Sequence, residues 1–262
     1  SRMKVVPPPE DPPIAAPASA AVSRAGRART RSRQVIYVGT SGYSFRDWVG
    51  PFYPPGTPSR DMLAWYARQF PAVEINSTYY RVPGPRVMER MAERTPAHFR
   101  FTVKLHGDVT HKRTRDTAVF EAYLATVQPL IDTGKFAGAL AQFPYSFRHN
   151  EDSREYLRFV RDHLRDRPAF VEFRHESWAR RDAFTLLDEL RFGFCAVDEP
   201  RLEGLFPPIV RPTGEVGYIR FHGRNTTDWW GGDSALRYDY LYTDRELLEW
   251  LEAIRGLAAK SR

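Results

Sequence analysis

The stretch 71–83, PAVEINSTYYRVP, restricts the choice of fold more than any other part of this chain. Val73 and Ile75 alternate with Glu74 and Asn76. Alternation with period two sends successive side chains to opposite faces of a strand. Helical spacing of apolar residues flanks it at 60–70 and 85–93. A strand between two amphipathic helices points to a parallel sheet, which is covered on both faces. A carboxylate and an amide facing such an interior need partners or a task.

The pattern repeats. Strands are predicted at 35–40, 99–104, 138–142, 169–174, 194–197 and 217–221, and helical apolar stripes separate most of them. The last helix begins at a predicted capping box, Thr243 with Glu246, and its buried stripe is expected to be Leu247, Leu251, Ile254 and Ala258. Seven βα units imply an α/β fold, a TIM-like (β/α) barrel, with the eighth strand missing. The strand phases place Glu74, Asn76, Lys104, Gln142, Glu172, Arg174, Asp198, Arg220 and His222 inward, near the C-terminal strand ends where such barrels build their sites. A purely structural barrel fills those layers with Val, Ile and Leu, so nine polar side chains from six strands mark a site. The same phasing puts Cys195 on the helix-facing side of its strand.

Charge says less than it first suggests. The net +7 is mostly a property of residues 1–34, whose seven basic and two acidic side chains contribute +5, leaving +2 for 35–262. That leader is rich in Pro, Ala and Arg, lacks apolar periodicity, and reads as disordered. The barrel domain is therefore expected to span 35–262, and its near-neutrality argues against long duplex nucleic acid. A single cysteine excludes an intramolecular disulfide and thiolate clusters, and agrees with a reducing cytoplasm. No apolar run approaches the ~20 residues of a membrane span, so no membrane partner is expected.

Four chemistries are open to these residues. Glu74, Glu172, Asp198, His175 and His222 are donors suited to a divalent metal, but no HxxE or HxH spacing supports one and Arg174 and Arg220 oppose a cation. Acid–base catalysis would use Glu74, Glu172, His222 and Asp198, with carboxylates facing one another across a lumen. The alternative for the same groups is a balanced ion-pair network with Lys104, Arg174 and Arg220. Nucleophilic catalysis is weakly supported, because Ser41 and Ser77 lack a GxSxG elbow. Anion binding fits most residues. The Gly39–Gly42 turn, with Thr40, Ser41 and Gly42, can offer backbone donors, and Lys104, Arg174, Arg220 and the loop at His111 supply charge. Tyr79, Trp178 and other loop aromatics can stack on a base or sugar, or simply roof the barrel.

Several pieces together carry a family resemblance: Gly39-Thr40-Ser41-Gly42-Tyr43-Ser44, Phe52-Tyr53-Pro54, the stretch 73–83, Thr110-His111, Gln142-Phe143-Pro144, Glu172-Phe173-Arg174-His175, Ser177-Trp178, Arg220-Phe221-His222-Gly223 and Arg237-Tyr238-Asp239-Tyr240. In this order, over roughly 36–256, the chain resembles domain-of-unknown-function family 72. The resemblance implies a TIM-like barrel and no established reaction, substrate or cofactor. It also implies a further strand with paired asparagines and a last helix beyond the helix at Asp244, which this sequence lacks. The resulting expectation is an enzyme doing acid–base chemistry on a phosphate-bearing or nucleotide-like ligand. Its alternative is a non-catalytic barrel that binds a metabolite or single-stranded nucleic acid.

Overall fold

Alternating stretches of the chain become seven strands in a computed structural model that describes residues 35–227, 229–230 and 237–261. The leader expected at 1–34 lies outside them. The strands are β1 (Gly39–Ser41), β2 (Ala72–Ile75), β3 (Arg100–Lys104), β4 (Phe136–Gln142), β5 (Ala169–Glu172), β6 (Gly193–Asp198) and β7 (Tyr218–Phe221). All pair in parallel, in chain order. Between them run α1 (Ser59–Gln69), α2 (Pro85–Glu93), α3 (Ala118–Asp132), α4 (Glu151–Leu164) and α5 (Arg181–Glu189), and α6 (Asp244–Lys260) follows β7. The sheet curls into an incomplete TIM-like barrel in which β1 and β7 are the outer strands.

Two cores follow from strand parity. Outward residues such as Val73, Ile75, Phe101, Val103, Ala141, Val171 and Phe173 pack under helix residues that include Leu157, Val160 and Leu187. Inward, Leu140, Phe170, Cys195 and Tyr218 form a small apolar floor to the lumen. Phe170 fits there because Gly138 and Gly193 flank it, where a Cβ would approach its ring to 2.5 and 2.7 Å. Burying such a ring stabilises the fold by roughly 1.5–3 kcal/mol. The floor occupies the N-terminal half of the lumen and leaves the strand-end half to polar residues.

Three expectations are corrected. The first strand bonds to its neighbour only over Gly39–Ser41, because β2 begins opposite Gly39. Val35 and Val38 before it are 61% exposed. Cys195 points into the lumen, its Sγ 3.9 Å from Glu172 Oε2. In α6 the capping box at Thr243 and Glu246 is present, but Trp250 and Leu257 are the buried residues, while Leu247 and Leu251 are exposed. The reason is local fit. Trp250 packs on Phe221, and Gly217 leaves the space that Leu257 fills. Among the described residues no helix is long and apolar enough to cross a membrane.

Candidate functional site at the strand ends

Glu172 ends β5 fully buried and holds three side chains at once. Its Oε2 accepts from Arg220 Nη1 at 2.6 Å, and its Oε1 lies 3.1 Å from His222 Nε2 and 2.7 Å from Arg174 Nε. Arg220, from β7, continues to Glu74 on β2, donating from Nε to Oε2 at 2.9 Å and from Nη2 to Oε1 at 2.7 Å. Glu74 also accepts from Ser41 Oγ and Tyr218 OH, at 2.8 and 2.7 Å, and Asn76 donates to Ser41 in turn. Arg220 thus spans the open side of the barrel, tying β7 to β2 and β5. Burial alone would raise both carboxyls. Arg220 and the hydroxyls outweigh it at Glu74, and Arg220, Arg174 and His222 hold Glu172 well below the usual carboxylate range. Burial and the Arg174 charge push His222 down to about 4, so the ring is neutral near pH 7, with its Nε2 between Glu172 Oε1 and the Arg174 guanidinium.

Lys104, at the end of β3, sits higher and less enclosed. Its Nζ donates to Gln142 Oε1 at 2.8 Å and lies 4.6 Å from the centre of the Tyr79 ring. Burial, then the nearby Arg220 charge, lowers it to about 8 against the pull of Glu172 and Glu74. His111 packs edge-on against the same Tyr79 ring, and burial followed by Lys104 and Arg113 brings it to about 4. Gly107 lets the π-helical turn 108–112 approach, since a Cβ there would sit 3.2 Å from the Tyr79 ring.

The third group surrounds Arg174. Its Nη1 donates to Glu199 Oε2 at 3.0 Å, its Nη2 lies 3.2 Å from His222 Nε2, and the Trp229 ring covers it at 6.0 Å. Burial raises the Glu199 carboxyl to about 7 despite Arg174. Sequence reasoning missed Glu199. The signal was the phase of β6: once Cys195 and Val197 face inward, the residue two further on must follow.

The model of the family described as "Protein of unknown function DUF72" matches residues 37–262. The chain belongs to this DUF72 family. UPF0759 protein YunF of Bacillus subtilis is 30% identical over 240 residues, covering 85% of this chain and 84% of that one. A crystal structure of a DUF72 family protein from Thermotoga maritima superposes with a TM-score of 0.79 at 38% identity, covering 86% of this chain and 88% of the other. One from Enterococcus faecalis gives 0.77 at 25% identity, with 87% and 86% covered. None of these descriptions assigns an activity or a ligand.

The DUF72 lumen gathers Ser41, Glu74, Asn76, Tyr79, Lys104, His111, Gln142, Glu172, Arg174, Arg220 and His222 from the sequence-derived set, and leaves five out. Asp198 is buried but faces the helix layer, where Arg224 Nε lies 3.1 and 3.0 Å from its two oxygens and joins it to Glu246 and Glu249 of α6. Thr40 turns to α1, its Oγ1 2.9 Å from Tyr66 OH. The Thr40 N–H donates to Tyr66 OH and the Gly42 N–H to Glu74 O, so this turn is no ready anion cradle. His175 caps the turn 176–178 by accepting from Ser177 N–H. Trp178 is wholly buried, stacked on Phe173 at 4.1 Å and donating to Phe147 O, so it offers no face to a ligand. Trp48, Phe52 and Tyr53 likewise pack on Trp65 of α1 or on one another. Among the described residues no group of three or more His, Cys, Asp or Glu is placed to hold a metal ion. Two surface depressions, of about 520 Å³ beside α4 and α5 and about 170 Å³ between α1 and α2, lie away from the strand ends.

Proposed function

We propose that the strand-end face binds a small phosphate-bearing or nucleotide-like ligand and carries out proton transfer on it, with Lys104 as the exchanging group. The supporting observation is an asymmetry of commitment. The Arg220 guanidinium is bonded to carboxylates from Nε, Nη1 and Nη2, whereas Lys104 holds one hydrogen bond at the exposed end of the lumen. An ammonium has three donors, and one near 8 exchanges its proton close to neutral pH. Glu74 and Glu172, bound on both oxygens and held as anions, are poor general bases and serve to fix Arg220 and Arg174. Gln142, Tyr79, His111 and Arg174 orient the ligand around Lys104. A thermal-shift screen with sulfate, nucleotides, sugar phosphates, short oligonucleotides and divalent metals tests this. Anions should stabilise the protein by several degrees, and Lys104→Met should lower turnover of the identified ligand by about 10²–10⁴-fold. Stabilisation by neutral sugars alone, with no response to any anion, would overturn the reading.

A second reading rests on aromatic faces left open around the same mouth. Tyr80 is 80% exposed, Trp230 59% and Tyr238 48%. Such rings suit a non-catalytic barrel that stacks the bases of single-stranded nucleic acid. Binding would then respond to salt and to loss of these rings, and Lys104→Met would change affinity alone.

A further inference from the structure

Arg174 is held more loosely than its neighbour. Its Nε lies near Glu172 Oε1 but off the hydrogen-bond direction, whereas Nε, Nη1 and Nη2 of the equally buried Arg220 all bond to carboxylates. The carboxylate on its Nη1, Glu199, is only half used. Glu199 is 2% exposed, and its buried Oε1 makes no well-aligned hydrogen bond among the described residues, with only the Phe206 backbone N–H steadying the carboxyl besides Arg174. A buried carboxylate ordinarily engages both oxygens, so an unpartnered one beside a covered guanidinium marks a position for another group.

We propose that the ligand's oxyanion binds at Arg174 Nη1, in the place Glu199 now holds, and that Glu199 yields it by taking up one proton. This rests on the anion-site reading above and adds to it an address and a proton. No covalent bond changes. One proton passes from solvent to the Glu199 carboxyl, whose O–H then donates to the bound oxyanion. An ionised Glu199 beside that anion would repel it, while the neutral acid supplies a donor. With Glu199 at about 7, the uptake is readily reached near neutral pH. Glu172 and Arg174 from the β5 end act on it directly, and Arg220 and His222 from the β7 end, Lys104 from β3 and Tyr238 act on Arg174 beside it. Glu172 and the arginines remain charged and His222 remains neutral through this range. Lys104, at about 8, titrates next.

Sulfate is the probe, since its charge is constant over the range of interest. Calorimetry on the full chain should give an affinity that is flat below pH 7 and falls toward about tenfold per pH unit above it. At pH 7.5–8, two buffers of different ionisation enthalpy should report uptake approaching one proton per sulfate. Glu199→Gln should cut that uptake to the smaller share Lys104 supplies and keep the affinity flat until Lys104 loses its charge near 8. Sulfate binding with no proton uptake by the unmodified protein, or with the same pH profile in both proteins, would overturn the proposal and leave the anion site standing. Failure of both proteins to bind sulfate at any pH would remove the proposal together with the anion site.

Discussion

Arg220 and Arg174 enter the same lumen from different strands and touch the same Glu172, yet they differ in what they do. Arg220 meets two carboxylates with good geometry, and each of its three nitrogens is committed to them. Arg174 has one misaligned ion pair, one half-used carboxylate and an aromatic cover. Buried ion pairs add little net stability over apolar packing, but breaking one strands a charge. The saturated arginine is therefore a strut, and the contested one is where a ligand can compete.

The hardest test of that difference is Glu172→Ala, which takes from both guanidiniums and His222 the carboxylate they share and leaves two arginines on one carboxylate each. It should destabilise the fold by about 3–5 kcal/mol in urea denaturation. A loss below about 1 kcal/mol would mean that the lattice is not structural. Next come the two arginines compared directly. Arg220→Lys cannot bridge Glu74 and Glu172, and should lower stability by about 2–3 kcal/mol. Arg174→Lys should lower it by less than about 1 kcal/mol while removing most sulfate binding. Equal losses would erase the distinction. The gentlest test is pH. His222 is depressed to about 4 in the folded protein, so its contribution is present above its unfolded value near 6.5 and is lost as pH falls through 4. Glu199, raised to about 7, works in the opposite sense and gives back stability as pH falls below 7. Between pH 6.5 and 4 the two oppose each other, so His222→Gln should gain stability relative to the unmodified protein as pH falls, and an unchanged difference would show that the ring is not held neutral by this site.

Much of this site was legible because polar and apolar residues alternate where it matters. In β2, β5 and β7 the inward Glu74, Glu172 and Arg220 are each bracketed by Val, Ile or Phe, and the phase is unambiguous. In β6 it is not. Phe194, Cys195, Ala196 and Val197 are all apolar, so both faces look alike and Asp198 is the one polar cue to the phase. Phasing the strand on Asp198 exchanges it for Glu199 and turns Cys195 outward. Trp178 failed for a different reason. An aromatic residue after a strand reads the same whether it roofs a site or fills the core, and only the stacking on Phe173 separates the two. The rotation of α6 by its fit to Gly217 and Phe221 is likewise a tertiary effect that helical periodicity does not carry.

The strut also has a consequence for how the chain is made. Glu74 and Arg220 are separated by 146 positions, and Glu172 and Arg220 by 48. During synthesis the strands through β6 can pair while Glu74 and Glu172 still await their common partner. Contacts of such separation form late, because a long loop must close before they contribute. Until β7 emerges, the lumen holds two buried acids with no Arg220 between them. Competence to bind therefore reports completion of the fold, and a nascent chain stopped short of residue 220 would carry most of the sheet and none of the strut.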